Sequence, residues 1–451
     1  MKVQELHSNV RQLISTDILT EFMTVCPIPD IELERLFTTI RHNLLLSLQE
    51  DSFPQETLPF LTALACQCFI NEYLYNETEE EAKALKAMET IVKQDLEEGK
   101  QPSPQVVLLL ASYSPLNNYE WHGLLHTTRA INEVYIRQVQ EPKKERIIAG
   151  EIRRFKKPRD KISLEVRKQY EENPYPRWST IGLNSNPKTL KEIFARLHLR
   201  FSDVASIDLN TPDILVAGCG TGQHSIGVST RYKNCNVLGI DLSVSSLAYA
   251  KRKSDELGIR NIEYMQADIL SLGELDRKFD IIECAGVLHH MQNPKAGWQS
   301  LISCLKPGGL MKIGLYSESS RQHIKEIRRE IAELGNINRP KQIKTFRNNL
   351  ICSKEAHHKE ILTSPDFYSL SALRDLLFHV QEHRFTIPQI ERHLHDLGLS
   401  FCGFENDRAN LLFQKKNTQP NAIYNLRNWD LFEKENPRIF IGMYQFWCQK
   451  I

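Results

Sequence analysis

Three glycines at alternate positions, Gly218, Gly220 and Gly222, follow the apolar run Ile214–Ala217 and lead into Gln223. Glycine lets the main chain approach a ligand where a Cβ would collide, and a helix start beyond it offers unpaired N–H groups. Such a turn at the carboxyl end of a strand is a place for a nucleotide or nucleoside. A dinucleotide pyrophosphate calls for G-x-G-x-x-G, whereas here the third glycine comes one residue early and Gln223 takes the last position. The competing reading is a tight strand-to-helix connection with no ligand. Two carboxylates weigh against it. Asp241 closes the run VLGID, with Leu242 beside it, where ribose hydroxyls have to be met. Asp268 closes the run YMQAD, placed to accept from an adenine amino group with Ile269 against the ring. Either aspartate alone is equally a helix cap, but the two at successive strand ends, with Cys219 and Gln223 in the turn, select a nucleoside.

The elements that must position these residues are short β-branched runs separated by helical stretches. Strands are expected over Ile214–Ala217, Val237–Ile240, Ile262–Gln266, Asp280–Cys284 and Leu310–Leu315, the pattern of a parallel sheet covered on both faces. Upstream, Leu33, Leu36, Phe37, Ile40, Leu44 and Leu48 recur at helical spacing behind Asp30 as a cap, and Leu58–Leu74, Glu79–Leu96 and Trp121–Val139 also read as helices. Residues 1–140 are thus expected to form an all-helical domain. A tetratricopeptide consensus is met only partly, at Trp121 and Leu124. Residues 141–180 form a basic and aromatic linker, in which Ile152–Lys161 carries six basic side chains and one acid. That stretch is either a solvated connection or an anion-binding patch.

Over 451 residues the chain is 41% apolar and 25% charged with a net charge of +1, a globular composition without a global field for nucleic acid. The N-terminal MKVQELHSNVRQLIST has no apolar core of a leader, and no run approaches the ~18 apolar residues of a membrane span, so a cytoplasmic protein without a membrane partner is expected. Ten cysteines without a C-x-x-C pair read as reduced residues of the core.

Five segments in order, ILVAGCGTGQ, VLGIDLS, MQAD, FDIIECAGVLHHM and LKPGGLMKIGLYS, resemble the successive motifs of class I S-adenosylmethionine-dependent methyltransferases. With CFINEYLY, VRKQYEENPYPRW, DFYSLSALRDLLFHVQEHRFT and GMYQFW the likeness extends to a bacterial subgroup carrying an N-terminal helical, often tetratricopeptide-like, arm. The resemblance implies an α/β, Rossmann-like sheet of seven strands in a domain over 181–451, with a helical insertion at about 317–398. Its last two strands, a reversed hairpin, are placed at Leu399–Glu405 and Ile439–Lys450. It also implies S-adenosylmethionine as cofactor and Val216 as a departure, because many members carry an acid two positions before the first glycine. Carbonyls near Ala285 and Gly286, or an acid elsewhere, would then meet the methionine ammonium.

Methyl transfer from a sulfonium is an in-line displacement that asks mainly for positioning and the exclusion of water, with a base for a protic acceptor. His289 and His290 follow the fourth expected strand, either as proton acceptors or as packing residues. Tyr316 and Glu318, past the fifth, are placed for the acceptor or to cap the next helix. His379, Glu382 and His383 spell H-x-x-E-H, which on one helix face would hold zinc; no further ligand stands out, so no metal is expected and a zinc hydrolase stays a distant alternative. The other reading offers these three and Arg374 to the acceptor from the insertion. Tyr170, Tyr175, Arg177 and Trp178, around two prolines, are placed to close over a sulfonium or to pack as a clamp between domains. The function expected is methyl transfer to an unidentified acceptor, a protein side chain or a small molecule, with the helical arm available to a protein partner. The non-catalytic alternative is an interaction protein that only binds S-adenosylmethionine.

Overall fold

A computed structural model describes residues 17–47, 57–197, 199–202, 207–208, 210–335, 337, 339–419 and 421–451. Leu48 and the N-terminal MKVQELHSNVRQLIST lie outside these residues. The chain divides into two compact units, one made of 1–145, 177–181 and 327–378, the other of 146–176, 182–326 and 379–451.

The second unit is built on one eight-stranded sheet. Its strands are β1 (Arg153–Arg154), β2 (Asp213–Ala217), β3 (Asn236–Asp241), β4 (Ile262–Gln266), β5 (Phe279–Ala285), β6 (Leu305–Leu315), β7 (Leu399–Phe404) and β8 (Tyr444–Lys450), in the order β1-β4-β3-β2-β5-β6-β8-β7. All seven strands expected from the sequence are present. The eighth, β1, comes from the basic stretch read as linker: Arg153 and Arg154 extend the edge beside Met265 and Gln266 of β4. Strands β1 to β6 are parallel, and β8 runs antiparallel to both β6 and β7.

Alternation along each strand sends side chains to opposite faces. In β2, Leu215 and Ala217 join one apolar core with Trp298, Phe404 and Phe446, while Ile214 and Val216 join the other with Tyr232, Leu247 and Trp447. Burial on both faces is why these strands read as continuous apolar runs. The chain leaves β2 for β3 on one side and has β5 on the other. A cleft therefore opens beyond the carboxyl ends of β2 and β5, where open sheets of this kind take ligands.

The first unit is helical. Asp30 caps the helix Ile31–Ser47 by accepting from the Leu33 N–H at 2.9 Å, and Thr78 and Glu81 form a reciprocal capping box on Glu79–Glu97. Its core includes Phe37, Leu44, Leu64 and Leu108. Glu34 pairs bidentately with the buried Arg347 at 2.6 and 2.7 Å. The continuous helix expected over Trp121–Val139 is not formed. Glu120–Leu124 is a tight 3-10 turn, and helix resumes at Asn132–Tyr135 through a wider turn, Ile136–Gln140. Gly123 and the pair Thr127–Thr128 are weak helix formers, and they fall in this interval.

Candidate active site

The glycine turn follows β2 and enters the helix Gln223–Arg231. Gly220 has φ +52°, and a Cβ there would stand 2.7 Å from the Tyr175 carbonyl oxygen. Gly222, at φ +89°, would place a Cβ 2.6 Å from that of Ala250, so its bareness lets two helices pack. The Thr221 hydroxyl donates to the Pro176 carbonyl. At these positions the turn receives the chain's own Tyr175–Pro176 segment as well as leaving main chain open.

Asp241, the last residue of β3, is only partly exposed. Its two oxygens each accept one main-chain N–H, from Gly220 and from Ser243, both at 2.9 Å. Burial, only partly offset by main-chain bonds from Ser243, Gly220 and Leu242, pushes its pKa up to about 6, and Glu171 nearby adds to the rise. A buried carboxylate still raised in pKa gains from the two donors of a ribose diol. The residues present therefore fit a nucleoside. Asp268 is buried; it caps the next turn through the Leu270 N–H at 3.0 Å and is bonded by Ser163, while burial raises its pKa. Ile269 is buried beside it, and the Leu242 carbonyl accepts from Gln266 at 2.8 Å. Cys219 is buried, its thiol raised by burial, and Gln223 is exposed.

The helix Lys161–Glu172, which carries the Tyr170 expected near the sulfonium, reaches the loops after β3 and β4. Ser163 bonds Asp268, the Tyr170 carbonyl accepts from the Ser243 hydroxyl at 3.0 Å, and Glu171 accepts from the Val244 and Ser245 N–H groups at 2.9 Å each. Asp160 begins that helix by capping Ser163. An acid followed by an amphipathic stretch was the available signal.

Beyond β5 and β6 a second cluster forms. His289 is fully buried, stacks on Tyr316 at 3.8 Å between ring centroids, and among the described residues has no hydrogen-bond partner for either ring nitrogen. Burial, with His290, Arg321, His379 and His383 around it, holds its pKa well below the ordinary imidazole value. It is therefore neutral. His290 stacks on His379 at 3.6 Å, and its Nδ1 donates to the Gln381 carbonyl at 2.7 Å. Tyr170 lies 5.8 Å from the His379 ring. Arg321 lies over the Tyr316 ring at 3.6 Å and pairs with the buried Glu382 at 2.9 Å. Arg384 joins Glu382 to Glu318, which also takes Lys325.

The H-x-x-E-H helix is overturned. The preceding helix stops at Phe378, and 379–384 is irregular, with a bend at Val380. Its main chain bonds elsewhere: the His383 N–H to the His289 carbonyl at 2.7 Å, and the Phe385 N–H to the Tyr316 carbonyl at 2.8 Å. His383 Nε2 meets the Gln381 amide, and Glu382 is committed to two arginines. No zinc-peptidase helix exists to present these residues.

Val216 is fully buried, and its partner across β5 is Glu283. Glu283 bonds His224 Nε2 and the Tyr232 hydroxyl at 2.9 Å and Arg231 at 3.1 Å, and its pKa is far below the ordinary carboxylate value: burial opposes ionisation, but Arg231 and Lys312 outweigh it. An acid thus lies beside the departure, saturated by its own partners, tying the helix after the glycine turn to β5. Gly286, at φ +79°, donates to the Gly314 carbonyl at 3.3 Å, and Met443 lies against Gly314 and near Gly286. Arg177, Trp178 and Arg374 belong to the helical unit, where Arg177 lies over the Phe69 ring at 4.5 Å and Trp178 is buried.

A parallel sheet with reversed β8, a glycine turn and a carboxylate at the end of the next strand define a Rossmann-like, nucleoside-binding unit. Residues 214–309 match the family model described as a methyltransferase domain. The chain carries a class I S-adenosylmethionine-dependent methyltransferase domain in its C-terminal half. Among curated relatives, an uncharacterized protein of Synechococcus is 29% identical over 249 residues, 51% of this chain and 59% of that protein. A ubiquinone biosynthesis O-methyltransferase of Dechloromonas aromatica is 31% identical over 142 residues, covering 31% of this chain and 59% of its own length. The chain therefore spans less than two thirds of these relatives. Among solved structures, PKMT2 of Rickettsia typhi in complex with AdoHcy is similar with a TM-score of 0.44 and 18% identity, over 61% of this chain and 55% of that one. Among the described residues no helix is long and apolar enough to cross a membrane.

Proposed function

We propose that the chain transfers a methyl group from S-adenosylmethionine to a protic nitrogen or oxygen acceptor. The observation that carries this is the shared end of the sheet: a buried Asp241, raised in pKa, at the end of β3 and a neutral, buried His289 just past the end of β5. The cofactor supplies an electrophilic methyl carbon when bound. Gly218, Gly220 and Gly222 give main chain to it, Asp241 takes the ribose hydroxyls, and Asp268 and Ile269 flank the base. Ala285 and Gly286 offer carbonyls toward the methionine end.

On the acceptor side, His289 accepts a hydrogen bond from the nucleophile and turns its lone pair toward the methyl. Arg321 and the neighbouring histidines make an imidazolium there costly, so His289 orients more than it stores a proton. This suits an acceptor that attacks without giving its proton to His289, either a neutral amine whose methylated ammonium then loses its proton to solvent, or a phenol already ionised to phenolate; the O-methyltransferase name of the Dechloromonas relative supports an oxygen. Tyr316, Glu318, His379, Glu382 and His383 shape the pocket around it, with Tyr170 and Tyr175 at its cofactor side. The helical unit, with Arg177, Trp178 and Arg374, recognises the acceptor or a protein that carries it.

Calorimetry with S-adenosylmethionine and S-adenosylhomocysteine tests the pocket, and release of S-adenosylhomocysteine with fractionated cell extract tests turnover. Tight binding with no release across all fractions would establish the binding-only alternative instead.

A further inference from the structure

The helical unit holds a second chemical cluster that methyl transfer does not use. Glu330, on the helix Gln322–Glu333, receives two imidazoles at once: His357 Nε2 at 2.6 Å from Oε1 and His358 Nε2 at 2.8 Å from Oε2. The two histidines are adjacent in sequence, at the start of the short helix Ala356–Ile361, and neighbouring positions on a helix diverge by about 100°. Their rings nevertheless converge, with centroids 4.1 Å apart and planes at 52°. His358 is fixed from behind: its Nδ1 lies 2.7 Å from the Ser353 hydroxyl, which also accepts from the Glu355 N–H at 3.2 Å.

Three ligand atoms, two nitrogens and a carboxylate oxygen, lie within 4.8 Å of one another. The side chains are 20, 12 and 30% exposed for His357, His358 and Glu330, closed enough to hold an ion and open enough to leave it a water.

We infer that Glu330, His357 and His358 form a site for a divalent transition metal of the zinc type. Two imidazoles and one carboxylate are a borderline-soft set that zinc takes with a water in the fourth position. Entry requires each imidazole to turn a lone pair toward the ion, the proton moving from Nε2 to Nδ1. Ser353 accommodates this at His358, since a hydroxyl donates to a bare Nδ1 and accepts from a protonated one. The bound ion would clip the two helices together, and the inference stands independently of the methyl-transfer reading.

The test is zinc titration by calorimetry on the full, tag-free chain after treatment with chelator, with melting temperature as a second readout. The expected result is one saturable zinc per chain that raises the melting temperature, weakened at least roughly tenfold in both Glu330→Gln and His358→Ala. Glu330→Gln keeps the side-chain shape, so a folded melting transition in that variant separates loss of the site from loss of the fold. Cys352→Ser should bind as the parent does, which removes the one exposed thiol nearby in sequence as the source. Absence of saturable uptake, or uptake unchanged in Glu330→Gln and His358→Ala, or uptake lost in Cys352→Ser, would overturn the site.

Discussion

At one end of the sheet edge the loops after β2, β3 and β4 present main-chain groups and two aspartates, each belonging to a short contiguous motif. At the other end the cluster past β5 and β6 is assembled from His289, Tyr316, Arg321 and the irregular run His379–Arg384, with residues up to ninety apart made neighbours. The first end uses main-chain geometry, and its carboxylates are held by main-chain N–H groups and Ser163. The second uses side chains packed ring on ring and ion on ion, with Glu382 paired to Arg321 and Arg384 while, among the described residues, neither ring nitrogen of His289 has a hydrogen-bond partner. A nucleoside common to many reactions suits fixed main chain; an acceptor peculiar to one suits side chains recruited from a variable segment.

The largest effect expected from breaking this comparison is at Glu382. Glu382→Ala leaves Arg321 and Arg384 facing each other without their carboxylate and should cost about 3 to 5 kcal/mol in denaturant unfolding. Among variants that remain folded, such as Glu382→Gln, nucleoside affinity should stay close to the parent value if the two ends are separable; a parallel collapse of affinity would show them to be one site. Next is His289→Asn, which should lower turnover about 100-fold, near 3 kcal/mol in the barrier, with cofactor binding unchanged. Equal turnover in the variant would leave His289 a packing residue.

Asp241→Ala should weaken S-adenosylhomocysteine binding by about 1 to 3 kcal/mol, read by calorimetry, and leave the acceptor end intact. Undiminished affinity would remove the ribose assignment. The smallest effect is in pH. Burial pushes Asp241 up to about 6 from its ordinary 3.8, so its burial is free below the lower value and costs stability as pH rises through the higher one. Ribose donors stabilise the ionised form, and so nucleoside affinity should fall roughly tenfold per unit as pH drops below about 6. A flat affinity between pH 5 and 7.5 would place the nucleoside away from Asp241.

The seven main strands were legible because each is a short apolar run buried on both faces, bounded by turn residues. β1 was not, since Arg153 and Arg154 are an exposed edge pair whose polarity says nothing of pairing. The same limit governed the helices. Ile31–Ser47 could be read from its cap and period, but the interrupted stretch at Trp121–Val139 carried enough apolar residues to pass for one helix. H-x-x-E-H misled for a related reason: spacing implies a face only if the backbone is helical, and here its hydrogen bonds go to the His289 and Tyr316 segments.

The glycine turn and Asp241 could be read from residue type and order alone, because positive φ favours glycine and an aspartate that closes a strand stands where open sheets take ligands. What only the tertiary structure decided is which distant side chains meet: the bonds from Ser163 and Glu171 to the cofactor loops, the Glu283 network beside Val216, and the neutrality of His289. Burial and charge depend on everything packed around a group, and no local pattern of residues carries that sum.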